Sequence, residues 1–187
     1  MHYAQRPAPS RDSLAVTASP ALMHRLAGIR LLALDVDGVL TDGSVWHSSC
    51  GQFQRFHVHD GLGLQLLGAA GVTVVWISAR RSEAVELRAA EIGVADVRQG
   101  VSDKLHELQR ASDAYGVGRE SIAYMGDDLP DLPALRWASI GLAPANAVAQ
   151  VRAEADYVCE RDGGEGAVRE VCDLILAARQ GHSADRQ

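Results

Sequence analysis

Short apolar runs alternate with helical spacing along most of this chain. Leu31–Leu34 is four apolar residues closed by Asp35-Val36-Asp37-Gly38, the pattern of a strand buried on both faces. Residues 73–77, 94–97, 122–125, 139–142 and 157–158 read as further short strands. Helical spacing fills the intervals. Leu62, Leu64, Leu66, Leu67 and Ala70 suit a short helix opened after Gly61 and stopped by Gly71, and Val85, Ala89 and Ile92 mark one over 82–92. Others are expected over 104–115, 132–137, 147–153 and 167–178. This alternation predicts a doubly wound, Rossmann-like parallel sheet with helices on both faces, an α/β fold. One stretch breaks the rhythm. Across Ser44–His59 the residues Val45, Trp46, Phe53, Phe56 and Val58 favour extended chain, and Ser48-Ser49-Cys50-Gly51 supplies a turn, so a β-hairpin flap is expected beside the first strand.

Residues 1–24 carry Pro7, Pro9 and Pro20 without sustained periodicity and read as a disordered leader. Residues 25–181 then form a single domain, and polar 182–187 a mobile tail. The 187 residues carry a net charge of -6, which disfavours nucleic acid and anionic membrane surfaces as partners. No apolar run approaches membrane length. Cys50, Cys159 and Cys172 are an odd number without metal-like spacing, which points to reduced thiols and a cytoplasmic protein.

The candidate chemistry sits at strand ends. Asp35 and Asp37 point to the same side of an extended chain. Two anions held that close repel, and a divalent cation relieves the repulsion; the bland alternative is a turn or helix cap. Gly126-Asp127-Asp128-Leu129-Pro130-Asp131 follows another strand, and its three carboxylates suit oxygen ligation of Mg²⁺. Taken alone, that segment could equally be acids complementing a helix dipole. Ser78-Ala79-Arg80 ends the strand over 73–77 with a hydroxyl and a guanidinium, both able to contact phosphate. Lys104 stands in a first helical turn, where the dipole disfavours cations. Gly163, Gly164 and Gly166 precede the last helix as a candidate anion cradle. His57 and His59 share a face, for metal or for substrate.

These motifs together resemble the haloacid dehalogenase superfamily. Within it, DVDGVLTDG, ISAR, QGVSDK, YMGDDLPDLP and GGEGAVREVCDLIL look like the 3-deoxy-D-manno-octulosonate 8-phosphate phosphatases, from about Ile29 to Gly181. The resemblance implies a capless, tetrameric, Mg²⁺-dependent phosphatase acting on a small sugar-acid phosphate. It makes Asp35 the nucleophile and Asp37 the general acid and base. It gives the metal to Asp35, the Asp37 carbonyl and Asp127, with Asp128 in support, and the phosphoryl group to Ser78 and Lys104. Arg80, Asp60, His59, Gly163 and Gly164 fall on the substrate side. Two departures stand out: Ala79 where a Gly commonly precedes the Arg, and His59 where some relatives have Arg. A sibling phosphatase for a nonulosonate 9-phosphate and a non-catalytic module of the cytidylyltransferase-associated kind are the alternatives. The intact Asp35, Asp37, Lys104 and Asp127 speak against the second. Only 40 residues separate Asp37 from Ser78, too few for a separate lid domain beside a hairpin and a helix. The apolar hairpin is therefore expected to pack on neighbouring subunits of a homotetramer.

Overall fold

The apolar runs pair into a six-stranded, wholly parallel sheet. The computed structural model describes residues 18–48 and 51–184. In chain order the strands are β1 (Leu31–Leu34), β2 (Trp46–Ser48), β3 (Gly51–Phe53), β4 (Thr73–Ser78), β5 (Asp96–Gln99), β6 (Ile122–Met125), β7 (Ile140–Ala143) and β8 (Tyr157–Val158). The helices are α1 (Pro20–Ala27), α2 (Val58–Ala69), α3 (Glu83–Ile92), α4 (Lys104–Tyr115), α5 (Leu132–Trp137), α6 (Ala149–Glu154) and α7 (Ala167–Ala184).

The main sheet runs β5-β4-β1-β6-β7-β8. Successive residues of a strand face opposite ways, and β1 shows the result. Leu31 and Ala33 enter a core with Val75, Ile77, Tyr124 and residues of α4, α5 and α6. Leu32 and Leu34 enter the other with Trp76, Met125 and residues of α1, α2, α3 and α7. All four are fully buried, each leucine contributing about 1.5–3 kcal/mol relative to exposure. The expected doubly wound sheet is therefore present.

Several boundaries differ from expectation, and three of them have a local reason. The domain starts before residue 25: Ser19 Oγ accepts from the Leu22 N–H at 3.2 Å, Pro20 opens α1, and Leu22 and Leu26 are buried. A proline taken as a mark of disorder is thus a helix-starting proline. Residues 1–17, the rest of the expected leader, lie outside the described residues. Extended chain ends at His57 rather than His59, because the His57 Nδ1 accepts from the His59 N–H at 3.3 Å and opens α2 at Val58. β5 starts at Asp96 instead of Val94; the Val94 N–H is spent on the Ala89 carbonyl at 2.9 Å, closing α3 past the left-handed Gly93. At the other end α7 continues to Ala184, beyond the expected end of the domain at 181.

β2 and β3 form a separate antiparallel pair in which Trp46 faces Phe53; residues 49 and 50 of the expected turn lie outside the described residues. Phe56 anchors the base of this pair by stacking on buried Trp76, with centroids 6.3 Å apart. Among the described residues only β2, β3 and α2 lie between Asp37 and β4, so no cap domain interrupts the described fold. No helix among the described residues is long and apolar enough to cross a membrane.

Candidate active site

The chain leaves β1 for β4 on one side and returns with β6 on the other. That reversal opens a crevice at the carboxyl ends of the strands, where open α/β sheets take ligands. Leu34 is in register with Trp76 and with Met125, so Asp35, Ser78 and the Gly126–Asp131 turn emerge side by side. The Asp35 N–H donates to the Met125 carbonyl at 2.9 Å, fixing the first of them.

Lys104 joins the elements. Its Nζ lies 2.8 Å from Asp35 Oδ1 and 2.7 Å from Asp131 Oδ1, and all three residues are buried. The Tyr124 hydroxyl donates to the same Asp131 oxygen at 2.6 Å, while Oδ2 accepts from the Asp127 and Asp128 N–H groups at 3.1 and 3.2 Å. Both Asp131 oxygens are thereby committed. The position explains the unusual Lys at a helix start: its ammonium serves the carboxylates rather than the helix.

Asp35, Asp127 and Asp131 bring ligand oxygens within 4.8 Å of one another. With Lys104 they carry three negative charges against one positive. Burial, then Asp131, pushes the Asp35 carboxyl well above the usual carboxylate range, against the pull of Lys104. Burial and Asp131 likewise raise Asp127 to about 6. Burial works to lower the Lys104 pKa, but Asp35 and Asp131 together outweigh it and the net shift is upward. The two uncompensated charges and an all-oxygen donor set fit a hard divalent cation such as Mg²⁺. Because the oxygens of Asp131 are already bonded, Asp35 and Asp127 are the side chains left to hold it. Gly38 is required here: at φ +88 it sits where a Cβ would come within 2.0 Å of Asp127 Oδ2.

Asp37 lies beside this group. Gln54 Nε2 donates to its Oδ1 at 2.7 Å, and Arg80 Nε is 4.0 Å from its Oδ2. Ser78 is buried at the end of β4, where its Oγ accepts from the Arg80 N–H at 3.1 Å. The structure thus gathers Asp35, Asp37, Ser78, Arg80, Lys104 and Asp127 about one crevice.

The other candidates are held by contacts of their own. Asp128 is exposed and its Oδ1 accepts from the Leu129 N–H at 2.7 Å, capping the short turn that presents Asp131. Asp60 is 2% exposed and turned inward, its Oδ1 accepting from the Arg169 N–H at 2.7 Å in the first turn of α7. His59 is exposed and packs edge-on against His57, centroids 4.8 Å apart. The Gly163 N–H donates to Asn146 Oδ1 at 2.9 Å and the Gly164 N–H to the Val39 carbonyl at 3.0 Å, so neither amide cradles an anion. Their lack of side chains has another purpose: a Cβ on Gly163 would come within 1.8 Å of the Gly38 carbonyl. The glycine loop backs the segment carrying Asp37. Sequence reasoning counted Asp131 among three acids without giving it a role, and it missed Gln54. The spacing within Gly126–Asp131 could have flagged the first; nothing local flags the second.

Fold and acid cluster define a haloacid dehalogenase-like hydrolase, and the model of that family matches residues 77–171. The chain is 40% identical over 162 residues, 86% of each protein, to the 3-deoxy-D-manno-octulosonate 8-phosphate phosphatase KdsC of Salmonella typhimurium. It thus belongs to the 3-deoxy-D-manno-octulosonate 8-phosphate phosphatase family. Among solved structures, the Yersinia pestis phosphatase superposes with a TM-score of 0.85 at 38% identity, covering 87% of this chain and 89% of that one. The Moraxella catarrhalis phosphatase, in complex with magnesium ion, phosphate ion and a KDO molecule, gives 0.83 at 41% identity, covering 90% and 100%.

Proposed function

We propose that this chain is a Mg²⁺-dependent phosphomonoesterase that hydrolyses 3-deoxy-D-manno-octulosonate 8-phosphate to the free sugar acid and phosphate. The observation that carries the reading is the Asp35–Lys104–Asp131 bridge, which aims a buried carboxylate and an ammonium at one point beside Asp37 and Asp127. That is the equipment for phosphoryl transfer to a carboxylate.

Asp35 attacks phosphorus, forming an aspartyl-phosphate as the ester oxygen leaves. Asp37 gives that oxygen a proton, then takes one from the water that splits the intermediate and restores Asp35. Lys104 holds Asp35 by its Oδ1 and, with Ser78, offsets charge on the phosphoryl oxygens. Asp35, Asp127 and the Asp37 carbonyl would hold Mg²⁺, which when bound supplies positive charge to the reacting oxygens. Arg80 faces the site from the end of β4, as a contact for the sugar acid.

The partner we assign besides substrate is a second, third and fourth copy of this chain, arranged as a homotetramer. Exposed Trp46 and Phe53 on the antiparallel pair support that reading. The buried free thiols of Cys159 and Cys172 are consistent with a cytoplasmic setting.

A panel of phosphate monoesters with purified protein and Mg²⁺ tests the function. The octulosonate 8-phosphate should be turned over with the largest kcat/KM. Preference for a nonulosonate 9-phosphate would transfer the assignment to the sibling activity, and absence of any phosphate release would refute it.

A further inference from the structure

Gln54 follows β3 directly and reaches into the crevice with both ends of its amide engaged. Nε2 donates to Asp37 Oδ1 at 2.7 Å, and Oε1 accepts from Ser82 Oγ at 2.5 Å. A carboxylate only accepts, so the NH₂ end must face Asp37 and the carbonyl must face the hydroxyl. Ser82 is itself fixed. Its N–H donates to Gln99 Oε1 at 2.7 Å, and Gln99 Nε2 donates back to the Ser82 carbonyl at 3.2 Å and to Glu86 Oε1 at 3.0 Å. A continuous line of hydrogen bonds thus runs from the last residue of β5, through the residue that precedes α3, to Asp37.

We propose that Gln54 is a positioning residue for Asp37, holding Oδ1 so that Oδ2 is the oxygen that exchanges protons with the reacting groups. The inference rests on the reading of Asp37 as general acid and base. The Asp37 side chain is 21% exposed; Gln54 hydrogen-bonds its Oδ1, and Arg80 Nε lies 4.0 Å from its Oδ2. Without that bond two torsions are released, and a misplacement of about 1 Å costs on the order of 10²-fold in rate. The proton inventory is simple. As the Asp35–phosphorus bond forms and the ester P–O bond breaks, the proton on Oδ2 passes to the departing alkoxide oxygen. In the second step Oδ2 takes a proton from the attacking water while phosphorus leaves Asp35.

The test uses the full chain with Mg²⁺, and two esters that differ in their need for an acid. The sugar ester leaves as a poor alkoxide, whereas p-nitrophenolate departs without a proton. For Gln54→Ala, single-turnover phosphoryl transfer from the octulosonate ester should fall by about 10- to 100-fold, the usual cost of losing an outer-shell partner. Its KM and the first-turnover release of p-nitrophenolate should stay at the wild-type values. Gln54→Met, which cannot donate, should match Gln54→Ala. Ser82→Ala should cost less, and nothing further in the Gln54→Ala background, because both act through one bond. Thermal unfolding of each variant with Mg²⁺ separates misfolding from mispositioning. Equal losses on both esters, a change in KM alone, or wild-type rates in Gln54→Ala would overturn the inference while leaving the phosphatase reading intact. A wild-type protein that hydrolyses no phosphate ester would bring down both.

Discussion

Asp131 accepts four hydrogen bonds with two oxygens, from Lys104, Tyr124 and the N–H groups of Asp127 and Asp128. Asp131→Ala would strand a buried ammonium beside a single carboxylate and leave the Tyr124 hydroxyl unpaired. We expect a loss of about 1–3 kcal/mol, the cost of leaving buried donors without their acceptor, measured by denaturant unfolding; a change below about 0.5 kcal/mol would contradict it. Asp35→Asn should behave oppositely. Burial and Asp131 already oppose its charge, so the amide should preserve the fold while abolishing turnover, since it cannot attack phosphorus. Asp37→Asn should lose about 10²-fold or more through the missing proton transfer. Wild-type turnover by either variant would refute the roles. Activity should also vanish in excess chelator, and Asp127→Ala should raise the Mg²⁺ concentration giving half-maximal rate; a chelator-insensitive enzyme would exclude this donor set. Asp35, Asp37 and Asp127 were legible in the sequence because each stands just past an apolar run. The job of Asp131 was not, because Lys104 lies 27 residues away along the chain. Gln54 was hidden for the same reason, 17 residues from Asp37 and 28 from Ser82.

At the level of elements, α2 and α7 are tied by a carboxylate from one capping the first turn of the other. Asp60 performs for Arg169 what a helix's own N-cap normally does. Its Oδ2 is buried without a partner among the described residues, and burial raises the carboxyl pKa despite the bond from Arg169. Asp60→Ala should cost about 0.5–2 kcal/mol, as other caps do, without altering KM for the phosphate ester. A raised KM with unchanged stability would return Asp60 to the substrate side. The pH dependence has a definite sign. A carboxyl with a raised folded-state pKa adds stability below its unfolded pKa of 3.8, and that contribution is lost as pH climbs through the folded value. Asp60→Asn cannot ionise, so its unfolding free energy should fall less than the wild type's over that rise in pH. Apolar periodicity could not reveal this tie, because it reports which face is buried and not which polar atom completes a neighbour's turn. For the same reason element boundaries were less legible than element existence: His57 acts through its side-chain Nδ1 and Val94 through one backbone bond.

Across the whole molecule the parallel direction of the six main strands was readable from the β/α alternation, whereas their order was not. What lies outside that sheet bears on the proposed assembly. Trp46 is 65% exposed and Phe53 57%, cross-strand partners on a two-stranded sheet that has little stability by itself. Val58, Leu62 and Leu66 of α2 are exposed as well, so the chain presents apolar side chains on consecutive elements. A closed ring of like subunits can cover such surfaces on every copy, and it would shield from water a site that no cap domain covers. We expect light scattering to give a mass near four chains, with full activity in that species. Trp46→Asp and Phe53→Asp should each lower the mass and the turnover together while far-UV circular dichroism stays that of the wild type, because the substituted positions lie outside both cores. A monomer that is fully active at micromolar concentration, or a Trp46→Asp variant that dissociates without losing rate, would show that the antiparallel pair serves neither assembly nor enclosure.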